Sequence, residues 1–168
     1  MTVAPTITTD RLVLRGHRAS DMDIFWDFYQ TPRAEHMDKP SSRTHLWYGL
    51  MSEVGSWVVQ GHGGWAVDLP DGTMIGQVAI LHPPHFAETE LGWLLFDGYE
   101  GQGYAHEAAR AALDYARDTV NPPSLVSYIH QDNTRSKRLA ERLGARPDPD
   151  ANTHDDEDIV YRHFGEAA

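Results

Sequence analysis

No cysteine occurs in the 168 residues, which excludes a disulfide framework, a cysteine nucleophile and a thiolate-bound metal together. That absence suits a reducing compartment, and a soluble, cytoplasmic protein is the expectation. No stretch approaches the roughly 18 consecutive apolar residues of a membrane span, and no basic segment followed by an apolar run opens the chain. No membrane association is expected. Basic residues are in deficit: 14 Lys and Arg stand against 25 Asp and Glu, a formal net charge of -11. A nucleic-acid binder needs a basic stripe to neutralise phosphates, so no nucleic-acid partner is expected and cationic partners are favoured. There is no Gly-Lys-Ser/Thr of a nucleotide loop, no Gly-x-Ser-x-Gly of a hydrolase and no internal repeat.

What is present suffices for a packed core. Apolar residues make up 40% of the chain, including five Trp, and seven Tyr and five Phe add to the aromatic content. That composition and length predict one domain over residues 1–168. Thr6 to Arg15 reads as a strand with Leu12 and Leu14 on one face. Ser20 caps a first helix with Ile24, Phe25, Phe28 and Tyr29 on its buried face, Pro32 ends it, and residues Thr31 to Ser41 form a loop. Ser42 caps a second helix carrying Leu46, Trp47, Leu50, Met51 and Val54. Gly61-His62-Gly63-Gly64 leads into a strand (Trp65 to Leu69), Pro70-Asp71-Gly72 turns the chain, and Thr73 to Leu81 completes a hairpin. His82 and His85 flank Pro83-Pro84, but two histidines at that spacing without further ligands do not make a metal site, and no metal is expected.

The most informative stretch runs from a strand, Glu88 to Phe96, through Tyr99-Glu100-Gly101-Gln102-Gly103-Tyr104-Ala105 into a helix. Ala105, Ala108, Ala109, Ala112, Leu113 and Ala116 fall on one helical face. Glycines before a helix leave its first N–H groups bare, with the positive end of the dipole behind them, a site for phosphate. The small residues sit at alternate positions, which is not a dinucleotide fingerprint. A strand (Leu125 to Ile129) follows, then His130 to Ala145, with a short helix ending at Gly144. Arg135, Lys137, Arg138 and Arg142 make it the densest basic cluster, either a solvated face or a source of phosphate ligands. A last strand holds Ile159, Val160, Tyr161 and Phe164.

Glu90-Leu91-Gly92-Trp93-Leu94 running into Gly101-Gln102-Gly103-Tyr104-Ala105, followed by Asn133-x-x-Ser136 and Leu143-Gly144-Ala145, resembles the GCN5-related N-acetyltransferase (GNAT) family. The resemblance extends to Thr8-Thr9-Asp10-Arg11-Leu12-Val13-Leu14-Arg15 and is nearest to the branch of ribosomal-protein N-terminal acetyltransferases (RimJ/RimL type). It implies an α+β fold: a mixed, mostly antiparallel sheet with a V-shaped splay, flanked by about four helices, with acetyl-CoA in the cleft as co-substrate. The pyrophosphate would lie on the amides of Gly101, Gln102, Gly103, Tyr104 and Ala105, the pantetheine along the backbone near Leu95, and Asn133 against the cofactor arm. Glu100 stands where the family often has Gln or Arg, so backbone N–H groups must hold the phosphates.

An amine attacking a thioester must lose a proton, and the leaving thiolate is helped by an acid. The resemblance supports Glu90 as the base, acting through a water, with Glu88, two residues earlier, as the fallback. Ser136 sits where the resembled branch often carries a hydroxyl near the sulfur and is the candidate acid; Arg146-Pro147-Asp148 stands where many relatives carry a catalytic tyrosine, which shifts weight toward Ser136 or toward a mechanism without an enzymic acid. His130, beside Asn133, is a further possibility. The expected activity is acetyl-CoA-dependent N-acetyl transfer to a primary amine, a protein N-terminus or a small molecule, by direct attack in a ternary complex. A non-catalytic acyl-CoA-binding module is the alternative. Monomer and homodimer are both compatible with the sequence.

Overall fold

The structure is a computed structural model and describes residues 4–166. Where one strand was expected from Thr6 to Arg15, the chain makes a hairpin of β1 (Ile7–Thr8) and β2 (Val13–Arg15). Thr9 breaks the run: its amide donates to the Leu12 carbonyl (2.9 Å) and its hydroxyl accepts from the Leu12 amide (3.1 Å). A local side-chain bond of this kind competes with extended pairing. Ser20 does not cap α1 (Asp21–Tyr29). Its backbone is already helical and its side chain makes no cap bond, while Asp21 takes the Arg18 amide at 2.8 Å. Pro32 opens a separate 3-10 turn, Pro32–Ala34, after the helix has ended. Ser42 does cap α2 (Arg43–Val59), accepting from the His45 amide at 3.1 Å.

Next come β3 (Gly64–Asp68) and β4 (Met74–Leu81), joined where Gly72 takes φ +86, and then β5 (Glu90–Leu95) and α3 (Tyr104–Tyr115). A π-helical turn, Ala116–Val120, closes α3 on Asn121, whose amide reaches the Ala116 carbonyl at 2.7 Å. The chain ends through β6 (Leu125–His130), α4 (Thr134–Arg142), β7 (Arg146–Pro147) and β8 (Asp158–Phe164). The sheet order is β1-β2-β3-β4-β5-β6-β8-β7, and every pair is antiparallel except β5 and β6. This is the mixed, mostly antiparallel α+β architecture expected, with four α-helices among the described residues.

Strand alternation sorts the core onto two faces. Trp65, Val78, Ile80 and Leu91 pack against Ala108, Ala109, Ala112 and Leu113 of α3. The alanines let the helix lie close, and each fully buried Val, Ile or Leu contributes roughly 1.5–3 kcal/mol. On the opposite face Phe25, Phe28, Leu46, Leu50, Ala66 and Phe96 form a second cluster under α1 and α2.

Among the described residues, β5 and β6 are bridged at Glu90–Val126 alone. One residue on, the ladder is replaced by a side-chain bond, Ser127 Oγ donating to the Leu91 carbonyl at 2.6 Å. His163 Nε2 lies 2.9 Å from the same oxygen. Since the hydroxyl has one proton, His163 must donate to it. Burial holds His163 down to about 4, so the ring is neutral with the proton on Nε2. Beyond this point the strands separate.

Two buried ion networks tie the edges of the sheet. Arg15 bridges Asp68 (2.6 Å) and Asp21 (2.8 Å); Arg162 holds Glu88 bidentately (2.6 and 2.8 Å) and Asp148 at 2.5 Å. Glu88 is 3% exposed, so Arg162→Met leaves a buried carboxylate unpaired. A loss of about 3 kcal/mol in urea unfolding is expected, and Glu88→Leu combined with Arg162→Met should recover most of it.

Candidate active-site cleft

The separation of β5 from β6 opens a cleft of about 1410 Å³ that runs from one face of the sheet to the other. Residues of β5 that face opposite sides share it: Glu90, Gly92 and Leu94 on the α1/α2 side, Leu91, Trp93 and Leu95 on the α3/α4 side. Thr89 and Leu91 turn their carbonyls to β6, so alternation turns the backbone of Trp93 and Leu95 into the gap. They find no strand partner there among the described residues. This is an edge on which an extended, amide-bearing chain can pair. Arg33 Nε already donates to the Leu95 carbonyl at 3.0 Å.

At one end of the cleft stands the glycine loop. Gly101 (φ +76) and Gly103 (φ +83) hold left-handed conformations that side chains disfavour. None of the amides of residues 101–105 donates to a backbone carbonyl among the described residues. Gly101, Gly103, Tyr104 and Ala105 line the cleft, whereas the Gln102 side chain turns back to the Gly98 carbonyl. The loop is clamped from behind by Arg11. Its Nη1 donates to the Gln102 carbonyl (2.9 Å), its Nε to Glu107 (2.7 Å), and its guanidinium lies 4.8 Å from the Tyr104 ring centre. Glu107 also accepts from Thr9 Oγ1 (2.6 Å) and the Arg11 amide (2.9 Å). Burial opposes its charge, but these donors prevail and its pKa is lowered. Arg11 thus fixes the Gln102 carbonyl between two glycines that line the cleft. Across from them Arg135, Arg138 and Arg142 line the wall, while Lys137 is turned away to the Gln131 carbonyl at 2.6 Å.

Glu90 opens on the α1/α2 side with its carboxylate over Gly92. Burial, chiefly, and the nearby charges of Asp158 and Glu53 push its pKa up to about 8, against one hydrogen bond from the Tyr128 backbone. Glu88 does not share its face of the cleft. The Arg162 hydrogen bonds occupy both its oxygens and lower its pKa, so it is not available as the fallback base. Ser136 lies at the α4 wall with its Oγ accepting from Trp93 Nε1 at 3.3 Å, which leaves its own proton free. Asn133 lines the cleft but spends its carbonyl capping α4, accepting from the Ser136 amide at 3.1 Å. His130 is stacked on His36 with ring centres 4.8 Å apart and lies 3.5 Å from Glu157, also in the cleft wall.

Sequence reasoning missed Arg11, Arg33 and Glu53. Arg33 lies in an aperiodic loop and gives no signal. Glu53 does give one: it continues the Leu46, Leu50, Trp57 stripe of α2, an acid at a position where the periodicity calls for an apolar residue.

Comparison with known proteins gives a consistent picture. Residues 11–146 match the family model described as an acetyltransferase (GNAT) domain. The chain is 42% identical to an acetyltransferase of known structure from Agrobacterium tumefaciens, with a TM-score of 0.91 over 96% of this chain and 95% of that one. It is 25% identical over 149 residues to YnaD of Bacillus subtilis (strain 168), an uncharacterized N-acetyltransferase, covering 83% of this chain and 82% of YnaD. RimL, a ribosomal L7/L12 alpha-N-protein acetyltransferase solved with coenzyme A, has the same fold at 16% identity, with a TM-score of 0.76 over 98% of this chain and all of that one.

Glu107→Gln weakens the Arg11 clamp without touching the cleft. It is expected to reduce coenzyme A affinity about tenfold in calorimetry; equal affinity would mean the loop holds its shape without the clamp.

Proposed function

Since the chain belongs to the GNAT acetyltransferase family, we propose that it moves an acetyl group from acetyl-CoA to a primary amine by direct attack in a ternary complex. Acetyl-CoA supplies the activated acetyl group as a thioester. The residues present fit it: the amides of Gly101, Gln102, Gly103, Tyr104 and Ala105 for the pyrophosphate, with Arg135, Arg138 and Arg142 nearby, and the unpaired edge of Trp93 and Leu95 for the pantetheine. The observation that carries the reading is Glu90, a carboxyl in the cleft with no ion-pair partner among the described residues.

Glu90 takes the proton of the incoming ammonium, directly or through a water. With its pKa raised to about 8, it is far nearer to an alkylammonium, about 10.4 for lysine, than an ordinary carboxylate is. Ser136, its oxygen engaged by Trp93, offers its proton toward the departing sulfur. Asn133 orients Ser136 by fixing the first turn of α4.

Thiol release measured across a panel of amines and N-terminal peptides tests the reading. Glu90→Gln is expected to lower kcat by roughly 10²–10³-fold and Ser136→Ala by about tenfold. Equal turnover by wild type and Glu90→Gln would remove Glu90 from the reaction, and coenzyme A binding without transfer to any amine would favour a binding module. The rate should rise with pH through about 8 as Glu90 ionises, with Asp158, Glu53 and Tyr128 around it. Its folded pKa lies above the ordinary 4.5, so its contribution to stability is complete below about 4.5 and is lost as pH rises through about 8. Glu90→Gln should therefore be more stable than wild type at pH 9 and gain little at pH 4, as read by thermal melting.

A further inference from the structure

Gly64 pairs with Ala79, and Ala79 with Gly92. Directly paired residues share a face, so β3, β4 and β5 carry Gly, Ala and Gly in a row across the α1/α2 side of the sheet. A carboxylate lies over each end of it. A Cβ added to Gly64 would fall on the Glu53 carboxylate, and one added to Gly92 would lie 3.5 Å from Glu90 Oε2. Neighbouring strands are about 4.8 Å apart, which puts the ends of the row about 10 Å apart with only the Ala79 methyl between them.

Glu53 is built into place. α2 can approach β3 because Gly63 has no side chain; a Cβ there would strike the Glu53 carbonyl and stand 2.7 Å from the Trp57 ring. Gln77 Nε2 donates to Glu53 Oε2 at 2.9 Å, and His17 Nε2 lies 3.5 Å from the same oxygen. The glycine pair after His62 thus seats a carboxylate and not a phosphate. Behind Glu53, burial disfavours a charged His17, but Asp21 and Glu53, 3.8 and 3.5 Å from its ring nitrogens, prevail and raise its pKa. Even with His17 protonated, the network holds two cations, Arg15 and His17, against three carboxylates, Asp21, Asp68 and Glu53. At least one negative charge is left over, and Glu53 is the member that opens on the cleft. A poorly hydrated, uncompensated carboxylate is costly unless a cation joins it.

Resting on the amine-acceptor reading of the cleft, we propose that the acceptor is a small diamine. Its reacting nitrogen lies at Glu90 and its second ammonium on Glu53. Hydrogen bonds of about 2.8 Å at either end of a row of about 10 Å leave roughly 4–5 Å between the nitrogens, the span of two or three methylenes. A monoamine leaves the surplus negative charge at Glu53 without a cation. A peptide N-terminus puts an amide and a side-chain branch next to its amine, where the row offers only the Ala79 methyl.

Calorimetry with 1,3-diaminopropane and with propylamine, on the protein with and without coenzyme A, tests this independently of turnover. Wild type should bind the diamine at least tenfold more tightly than the monoamine. Glu53→Gln should bring the ratio to within about twofold, and Gly64→Ala, whose Cβ displaces the carboxylate, should lower it in the same direction. Coenzyme A affinity reports that each variant is folded. Equal affinity for the two amines in wild type, a preference that survives Glu53→Gln in folded protein, or tighter binding of an N-terminal peptide overturns the proposal. Thiol release is read separately: a bound diamine that is never acetylated would overturn the catalytic reading and leave the diamine site standing.

Discussion

The structure turns on how little holds β5 to β6. Two parallel strands in one sheet ordinarily continue their ladder until one of them ends. Here they are bridged at Glu90–Val126, and the next connection is the Ser127 hydroxyl on the Leu91 carbonyl, backed by neutral His163. That side-chain bond pins the apex and lets the strands diverge beyond it. Divergence leaves the β6 side of the Trp93 and Leu95 backbone without a strand partner among the described residues and joins the two faces of the sheet in one cleft. Glu90 on one face and Ser136 across the other then border the same space.

The cations of the cleft gather at one end. Three arginines of α4 and the glycine loop lie there, with Glu100 and Glu141 among them, while Glu53, Glu90 and Asp158 lie toward the other end. An anion and a cation can therefore be drawn to different ends of one cavity, consistent with the acidic balance of the chain. The acids that serve structure are kept out of it by their partners: Glu88 by Arg162, Asp21 and Asp68 by Arg15. Glu90 has no such partner, and its raised pKa is the stability given up for a usable base.

Much of this was legible in the sequence. The alanine face of α3 and the glycines before it announced a helix with a bare N-terminus, and Glu90 stood at the start of the strand leading there. Ser42 and the Pro70-Asp71-Gly72 turn behaved as their local chemistry dictates. Other features depend on contacts that no window of sequence contains. Thr9 breaks a strand by bonding to Leu12, and the two-residue β7 exists only because β8 lies beside it. Arg11 meets Gln102 and Glu107 across more than 90 positions. Gly63 and Gly64 read only as the entry to a strand because the reason for them, Glu53 on the neighbouring helix, is a tertiary contact. The acid on the apolar stripe of α2 was the visible half of that pair.

The central claim is that the forked strands and the glycine loop together form one coenzyme A site. A crystal structure of the complex tests it most directly. The account predicts pyrophosphate oxygens within about 3 Å of the amides of residues 101–105, with the pantetheine lying in the gap along Trp93 and Leu95. Coenzyme A bound elsewhere, or a gap filled by β6 closing onto β5, would contradict it.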